Sequence, residues 1–183
     1  GRWLRPLQDV TVTQRATWRF MLRHPAHVIA LGFGSGLSPR APGTAGTLAA
    51  WAAFVLLEHH FGPLPWAPLL GAGLLLGIWA CTLCARHMGV GDPGAIVWDE
   101  VLAFWAVLWL MQPAGWLAQL LAFGLFRFFD AAKPGPIGWA DRRFKPAPGA
   151  AVGWVQGFGI LFDDLLAAAC TLLVMLPTRS LWT

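Results

Sequence analysis

Five apolar stretches follow one another along the chain, and short connectors between them hold most of the charged residues. They cover roughly residues 46–57, 66–85, 97–111, 115–130 and 160–176. A helix needs about 20 apolar residues to span a bilayer, and only the second and fifth stretches reach that length. We therefore predict an all-α, polytopic membrane helical bundle. The shorter stretches cross a thinned region, cross with polar ends at the interface, or pack inside the bundle.

The segment before the first stretch has a different pattern. Residues 1–31 are amphipathic and rich in arginine. Thr11 to Arg23 is predicted to form a helix lying on the membrane surface, and Pro25 is predicted to start a second, short helix. We divide the chain into a basic N-terminal arm, residues 1–31, and a membrane domain, residues 32–183.

Composition and charge support a membrane protein. Hydrophobic residues make up 57% of the chain and charged residues 12%, whereas soluble domains carry about 25% charge. If all five stretches cross, Arg179 is the one basic residue on the side opposite the N-terminus, and the positive-inside rule makes the N-terminal side cytoplasmic. The net charge of +4 is therefore read as a topology signal. No nucleic-acid partner is expected, because the basic residues are not interleaved with aromatics.

Acidic residues gather on the same predicted side. The pairs Asp99-Glu100 and Asp163-Asp164 open the third and fifth stretches, and Asp130 ends the fourth. Each ionised carboxylate in such apolar sequence costs about 2.5–3.5 kcal/mol, and crowding like charges costs more. A divalent cation offsets this cost, and Mg²⁺ prefers oxygen ligands. The alternative is that these residues only cap helices or interact with helix dipoles.

Two basic residues flank the carboxylate of the fourth stretch. In FRFFDAAKPGPI, Arg127, Asp130 and Lys133 recur every three residues, which predicts one shared helix face, and Pro134 is predicted to end the helix. In one interpretation, the Asp130 carboxylate binds a metal ion and the two cations that flank it bind phosphate. A structural ion pair between Arg127 and Asp130 is the other.

A glycine-rich segment, residues 32–47, precedes the first stretch and is predicted to be a loop without helix or strand. Its backbone N–H groups suit phosphate oxygens, although a tight turn or close helix packing explains the glycines equally well. It lacks the G-K-[ST] of a phosphate-binding P-loop. The five histidines are scattered and no serine nucleophile motif is present, which favours metal-activated water. The candidate phosphate ligands are Gly34, Ser35, Gly36, Ser38, Thr44, Arg127 and Lys133.

Four stretches together resemble the phosphatidylglycerophosphatase A family: GFGSGLSPRAPGTAGTLAA (32–50), GDPGAIVWDEVLAFW (91–105), FRFFDAAKPGPIGWADR (126–142) and GFGILFDDLLAA (157–168). The resemblance implies a Mg²⁺-dependent enzyme of the bacterial inner membrane that removes the terminal phosphate of phosphatidylglycerophosphate in glycerophospholipid biosynthesis, with its active site on the cytoplasmic side. It also implies a membrane phospholipid substrate. The chain departs from the family in having Ala103 and Ala168 where glycine is expected, and a longer segment at residues 143–156. By resemblance the acidic and basic site positions are Asp99, Glu100, Asp130, Asp163, Asp164, Arg127 and Lys133.

A small membrane ion transporter that uses the acidic pairs as cation sites is the alternative function, because intramembrane carboxylates also mark ion pathways. The depth of the carboxylates in the membrane distinguishes the two hypotheses. Transporter carboxylates belong near the midplane beside broken helices, whereas here they are predicted at segment ends.

Overall fold

The computed structural model describes residues 15–89, 94–144 and 153–183. Within these residues the chain is all-α, as predicted, with eight α helices, two 3-10 segments and no strand. The α helices are α1 (Trp18–Met21), α2 (Pro25–Ala30), α3 (Pro42–Phe61), α4 (Trp66–Met88), α5 (Trp98–Met111), α6 (Trp116–Ala132), α7 (Pro136–Phe144) and α8 (Trp154–Met175), and the 3-10 segments are Gly32–Leu37 and Arg179–Leu181.

Helix α5 lies at the centre of the bundle and packs against α3, α4, α6 and α8. Its sequence, WDEVLAFWAVLWLM, is apolar around the whole circumference after the first turn, which is the pattern of a buried helix. Phe104, Val107, Leu108 and Met111 are completely buried. The central position of α5 brings its acidic first turn close to several neighbouring helices at once.

The long helices alternate in direction, so their ends gather at two opposite ends of the bundle. At one end, Lys133 after α6 contacts Asp163 of α8, with Nζ 3.0 Å from Oδ2. At the other, the Trp66 indole donates to Glu58 Oε1 over 2.6 Å, and Arg179 donates to the carbonyl of Gln112 over 3.1 Å. Acidic residues of α5, α6 and α8 thereby share the first end.

Two of the described helices are long and apolar enough to cross a membrane: Trp66–Met88 and, within α8, Gly157–Met175. They correspond to the two stretches that the sequence shows to be long enough. Helix α5 has 14 residues, which span about 21 Å, less than the roughly 30 Å of a bilayer core. The crossing of all five stretches therefore stays a prediction.

One prediction for the N-terminal arm is confirmed and another is wrong. A short helix does begin at Pro25, as predicted. The long helix expected over Thr11–Arg23 is wrong for its described part, since only Trp18–Met21 is helical and Thr17 caps it through its side chain. Residues 1–14 lie outside the described residues.

The glycine-rich segment is mostly helical, so the prediction of a loop over residues 32–47 is wrong. A 3-10 segment covers Gly32–Leu37, interrupted by positive φ angles at Phe33 and Gly34. Helix α3 already begins at Pro42, a residue that suits the first helical position. A Cβ on Gly46 would lie 2.6 Å from Val97 Cβ, so this glycine permits close helix packing.

Of two helix boundaries predicted near the acidic residues, one is confirmed and the other is wrong. Pro134 does end a helix as predicted, because α6 stops at Ala132. The expectation that Asp163-Asp164 opens the fifth helix is wrong, since α8 begins at Trp154 and the pair lies in its third turn. Most of the unusual extension 143–156 lies outside the described residues, which stop at 144 and resume at 153.

Thiol labelling tests the predicted topology. His60 at the end of α3 and Arg143 in α7 are both exposed, and the native Cys81 and Cys84 are buried while Cys170 is half-buried. We expect His60→Cys and Arg143→Cys to react with impermeant thiol reagents from opposite sides of the membrane. Labelling of both from one side would contradict the five-crossing topology.

Candidate active site

The structure gathers the five acidic residues singled out by the sequence. They project from the first turn of α5, the end of α6 and the third turn of α8. All are buried, with exposed fractions of 8% for Asp99 and Glu100, 9% for Asp130, 8% for Asp163 and 2% for Asp164. Three helices distant in sequence thus bring their carboxylates together.

The carboxylates form two overlapping groups of three. Asp99, Glu100 and Asp164 each offer an oxygen, and these oxygens lie within 4.8 Å of one another. Asp130, Asp163 and Asp164 form a second group by the same criterion. Asp164 belongs to both groups, so the five side chains constitute one continuous cluster, which we call the carboxylate cluster.

Two basic side chains border the carboxylate cluster. Arg127 Nη1 donates to Asp130 Oδ2 and lies 3.8 Å from Glu100 Oε1. Lys133 Nζ donates to Asp163 Oδ2 over 3.0 Å. The predicted shared helix face is wrong for Lys133, because this residue follows the end of α6 with a φ of +48° and contacts α8.

The carboxylate cluster fits a divalent cation. Glu100 Oε2 and Asp164 Oδ2 are buried and have no hydrogen-bond partner among the described residues. A buried carboxylate oxygen without a partner is costly, and Arg127 and Lys133 together cannot neutralise five carboxylates. Every donor in the cluster is a hard oxygen, the ligand type that Mg²⁺ prefers. These residues therefore suit Mg²⁺ in both charge and chemistry.

Gly43 is a site residue that the sequence interpretation did not single out. It lies in the first turn of α3, and a Cβ built there would be 2.8 Å from Glu100 Oε1 and 3.0 Å from Arg127 Nη2. The hydroxyl of Thr47 donates to the Gly43 carbonyl over 2.8 Å. The N-terminus of α3 consequently borders the carboxylate cluster, and a larger residue at position 43 would have to displace the Glu100 carboxylate or the Arg127 guanidinium.

The predicted phosphate ligands of the glycine-rich segment make mainly local contacts. Ser35 Oγ donates to the Gly32 carbonyl over 2.9 Å, and Ser38 Oγ donates to the Arg40 carbonyl over 2.7 Å. A Cβ on Gly36 would be 2.0 Å from the carbonyl oxygen of Ala95. The serine hydrogen bonds lie within the segment, and the close approach at Gly36 places it against the chain before α5.

Two other candidate phosphate ligands are placed differently. Space is open around Gly34, where a Cβ would meet nothing within 4 Å. Thr44 is half-buried in the first turn of α3, next to Gly43. A phosphate role for these residues stays a prediction.

Three histidines form a separate cluster, so the description of the histidines as scattered is wrong for them. His27 Nε2 lies 2.7 Å from His87 Nδ1, and His27 Nδ1 lies 2.8 Å from the Phe20 carbonyl oxygen. With His24 they line a cavity of about 330 Å³. Burial lowers the pKa of His27, and the hydrogen bond with Phe20 partly opposes that shift. This cluster joins α2 to α4.

A family model described as phosphatidylglycerophosphatase A matches residues 28–179. This chain belongs to the phosphatidylglycerophosphatase A family. The match begins within α2 and includes the carboxylate cluster and both basic residues that border it, and it confirms the resemblance seen in the sequence. The chain is accordingly a phosphatase.

Individual relatives within and near the family cover most of the chain. Phosphatidylglycerophosphatase A of Escherichia coli (strain K12) is 38% identical over 152 residues, which are 81% of this chain and 80% of that protein. The protein of the same name from Haemophilus influenzae is 39% identical over 157 residues, covering 86% and 90%. A putative phosphatidylinositol-3-phosphatase of Bacteroides thetaiotaomicron is 36% identical over 160 residues, covering 83% and 92%. No solved structure matches the chain.

Substitution of Gly43 tests whether α3 positions the side chains of the carboxylate cluster. We expect Gly43→Ala to displace Glu100 or Arg127 and to lower phosphatase turnover at least about tenfold, since displacements near 1 Å can cost more than that. Gly124→Ala is the matched control, because a Cβ at Gly124 on α6 would meet nothing within 4 Å. Equal turnover of both variants and the wild type, measured as phosphate release, would contradict the role of Gly43.

Proposed function

We propose that this chain hydrolyses the terminal phosphate monoester of phosphatidylglycerophosphate to phosphatidylglycerol and inorganic phosphate, as a step of glycerophospholipid biosynthesis. The observation that carries the proposal is the buried carboxylate cluster bordered by Arg127 and Lys133 at one end of an apolar bundle. Family membership and two relatives named for this reaction support the choice of substrate.

Mg²⁺ is the proposed cofactor, with Asp99, Glu100, Asp130, Asp163 and Asp164 as its ligands. The unpartnered oxygens of Glu100 and Asp164 support this assignment. When bound, such an ion supplies Lewis-acid polarisation of a phosphoryl oxygen and lowers the pKa of a bound water. In the described part of the chain, both carboxylate groups consist of Asp and Glu alone, without a cysteine or histidine, which is consistent with water as the nucleophile.

The basic residues are proposed to bind the substrate phosphate. The carboxylate partners of Arg127 and Lys133, which are Asp130 and Asp163, hold both cations at the border of the cluster. A cation fixed before the substrate arrives stabilises charge on phosphoryl oxygens without reorganising. The first turn of α3 adds backbone N–H groups that no side chain caps, and such groups favour phosphate. Gly43 places that turn beside Arg127.

The membrane-embedded location is part of the proposal. Large apolar side chains are exposed on α4, α6 and α8, among them Leu75, Leu117 and Leu173. Contiguous exposed apolar surface of this kind suits a lipid environment. Helix α7, which carries the exposed Arg142 and Arg143, packs against α8, whereas Arg179 contacts Gln112 at the opposite end of the bundle. This asymmetry supports an inner-membrane protein with the cluster on the cytoplasmic side.

The ion-transporter alternative is less well supported. Transporter ion sites are formed where helices break near the midplane. Here the carboxylates lie in the first turn of α5, in the last turn of α6 and within the uninterrupted helix α8. Membership of a phosphatase family favours hydrolysis. A different lipid substrate is the stronger competitor, because one relative is named a putative phosphatidylinositol-3-phosphatase.

A substrate comparison tests the proposed reaction. Purified chain in neutral detergent should release inorganic phosphate from phosphatidylglycerophosphate faster than from phosphatidylinositol 3-phosphate, and a chelator of divalent cations should abolish the release. Faster release from the inositol lipid would change the substrate assignment. No release from either lipid with Mg²⁺ present would contradict the proposal.

Asparagine substitutions test the carboxylate ligands, because asparagine keeps the shape and one oxygen but loses the charge. We expect Asp99→Asn, Asp130→Asn and Asp164→Asn each to lower phosphate release at least about tenfold, with partial rescue of at least one by raised Mg²⁺. Glu58→Gln, at the opposite end of the bundle, is the matched control. A capping role alone amounts to about 0.3–1 kcal/mol, so near-normal release by all three variants would support capping and contradict metal binding.

Alanine variants of the basic residues separate phosphate binding from structural pairing. We expect Arg127→Ala and Lys133→Ala to lower turnover while the protein still inserts into membranes, and the exposed Arg143→Ala to serve as a control. The double variant Arg127→Ala/Asp130→Ala removes both members of the ion pair. Its phosphate release should stay low; recovery to the wild-type rate would mean that the pair is only structural.

A further inference from the structure

Asp164 occupies a distinctive position within the carboxylate cluster. It is the single described residue shared by the group with Asp99 and Glu100 and the group with Asp130 and Asp163. With 2% of its surface exposed it is also the most deeply buried of the five. A carboxylate shared by two neighbouring groups of oxygen ligands is placed to bridge two cations, as in two-metal sites with ions about 3.5–4 Å apart.

The oxygens that would face cations are present in the cluster. Asp164 Oδ2 and Glu100 Oε2 are buried and lack a hydrogen-bond partner among the described residues. Asp164 lies close to the carboxyl groups of Asp99, Glu100 and Asp130. Mutual repulsion of these groups in a buried environment is relieved either by protonation or by positive charge on both sides of Asp164, since its neighbours lie in both groups.

Charge counting distinguishes one ion from two. Among the described residues, five ionised carboxylates and two cationic side chains, Arg127 and Lys133, leave the cluster with a net charge of −3. One divalent cation leaves −1, which repels a phosphate, and two leave +1, which attracts it. One Mg²⁺ also uses only one or two carboxylates in most proteins, and five are gathered here.

We propose that the carboxylate cluster holds two divalent cations bridged by Asp164, one also bound by Asp99 and Glu100 and the other by Asp130 and Asp163. This inference rests on the metal site of the proposed function and specifies its stoichiometry and the role of each ligand. Arg127 contacts one member of each group, Glu100 and Asp130. It therefore lies where a phosphate shared by both cations would be bound.

Mn²⁺ is a suitable probe, because it prefers the same oxygen ligands as Mg²⁺ and is visible by electron paramagnetic resonance. The full chain in neutral detergent micelles, without lipid substrate, should bind two Mn²⁺ ions at saturation. Their spectrum should be that of an exchange-coupled pair. The control Glu58→Gln, outside the cluster, should give the same stoichiometry and spectrum.

The variants distinguish a bridging ligand from ligands of one ion. Asp99→Asn and Asp163→Asn should each leave one tightly bound Mn²⁺ and replace the coupled spectrum by that of an isolated ion. Asp164→Asn should weaken both ions at least about tenfold. Circular dichroism of each variant confirms that the helices are retained, and the first two variants test the inference even if Asp164→Asn does not fold.

Three results would overturn the inference: one Mn²⁺ per chain at saturation, two ions without coupling, or an Asp164→Asn variant that loses only one ion. Phosphate release by the same samples keeps this test separate from that of the function. One bound ion with normal Mg²⁺-dependent release would overturn the bridged pair and leave the proposed function standing. No bound Mn²⁺ and no release would contradict both.

Discussion

Repulsion among five buried carboxylates is the constraint on which the rest of this structure depends. Each carboxylate is at most 9% exposed, and Arg127 and Lys133 are the cations that contact them among the described residues. In their ionised form, groups of this kind are stable in an apolar bundle only when opposite charge is close. Arg127 and Lys133 supply part of this opposite charge. Glu100 Oε2 and Asp164 Oδ2 are nevertheless buried without a hydrogen-bond partner among the described residues.

The helical scaffold serves that constraint. Helix α5 is largely buried and holds its acidic first turn against α8 and α6. Helix α3 closes the site from another direction, because Gly43 permits its first turn to approach Glu100 and Arg127. A site assembled from the rigid ends and turns of four helices keeps its charges in fixed positions, which is what electrostatic stabilisation of a phosphoryl group requires.

Local pattern predicted those features that depend on nearby residues. The apolar stretches located the long helices, and Pro134 located the end of α6. The high glycine content of residues 32–47 led to the wrong prediction of a loop, because glycine permits both turns and close helix contact. Gly46, which packs against Val97, is an example of close helix contact. Contacts between distant residues, such as Lys133 with Asp163 and His27 with His87, depend on helix packing that one sequence does not specify. The sequence predicted the convergence of the carboxylates only to the extent that it placed all five on the same side of the membrane.

The thermal stability of the wild-type chain with and without Mg²⁺ tests the central claim most directly, since it needs no substrate and no variant. If a divalent cation offsets the repulsion in the carboxylate cluster, saturating Mg²⁺ should raise the Tm in neutral detergent by about 5 °C or more. A monovalent salt at equal ionic strength should not. An unchanged Tm with Mg²⁺, in protein first stripped by a chelator, would contradict the account.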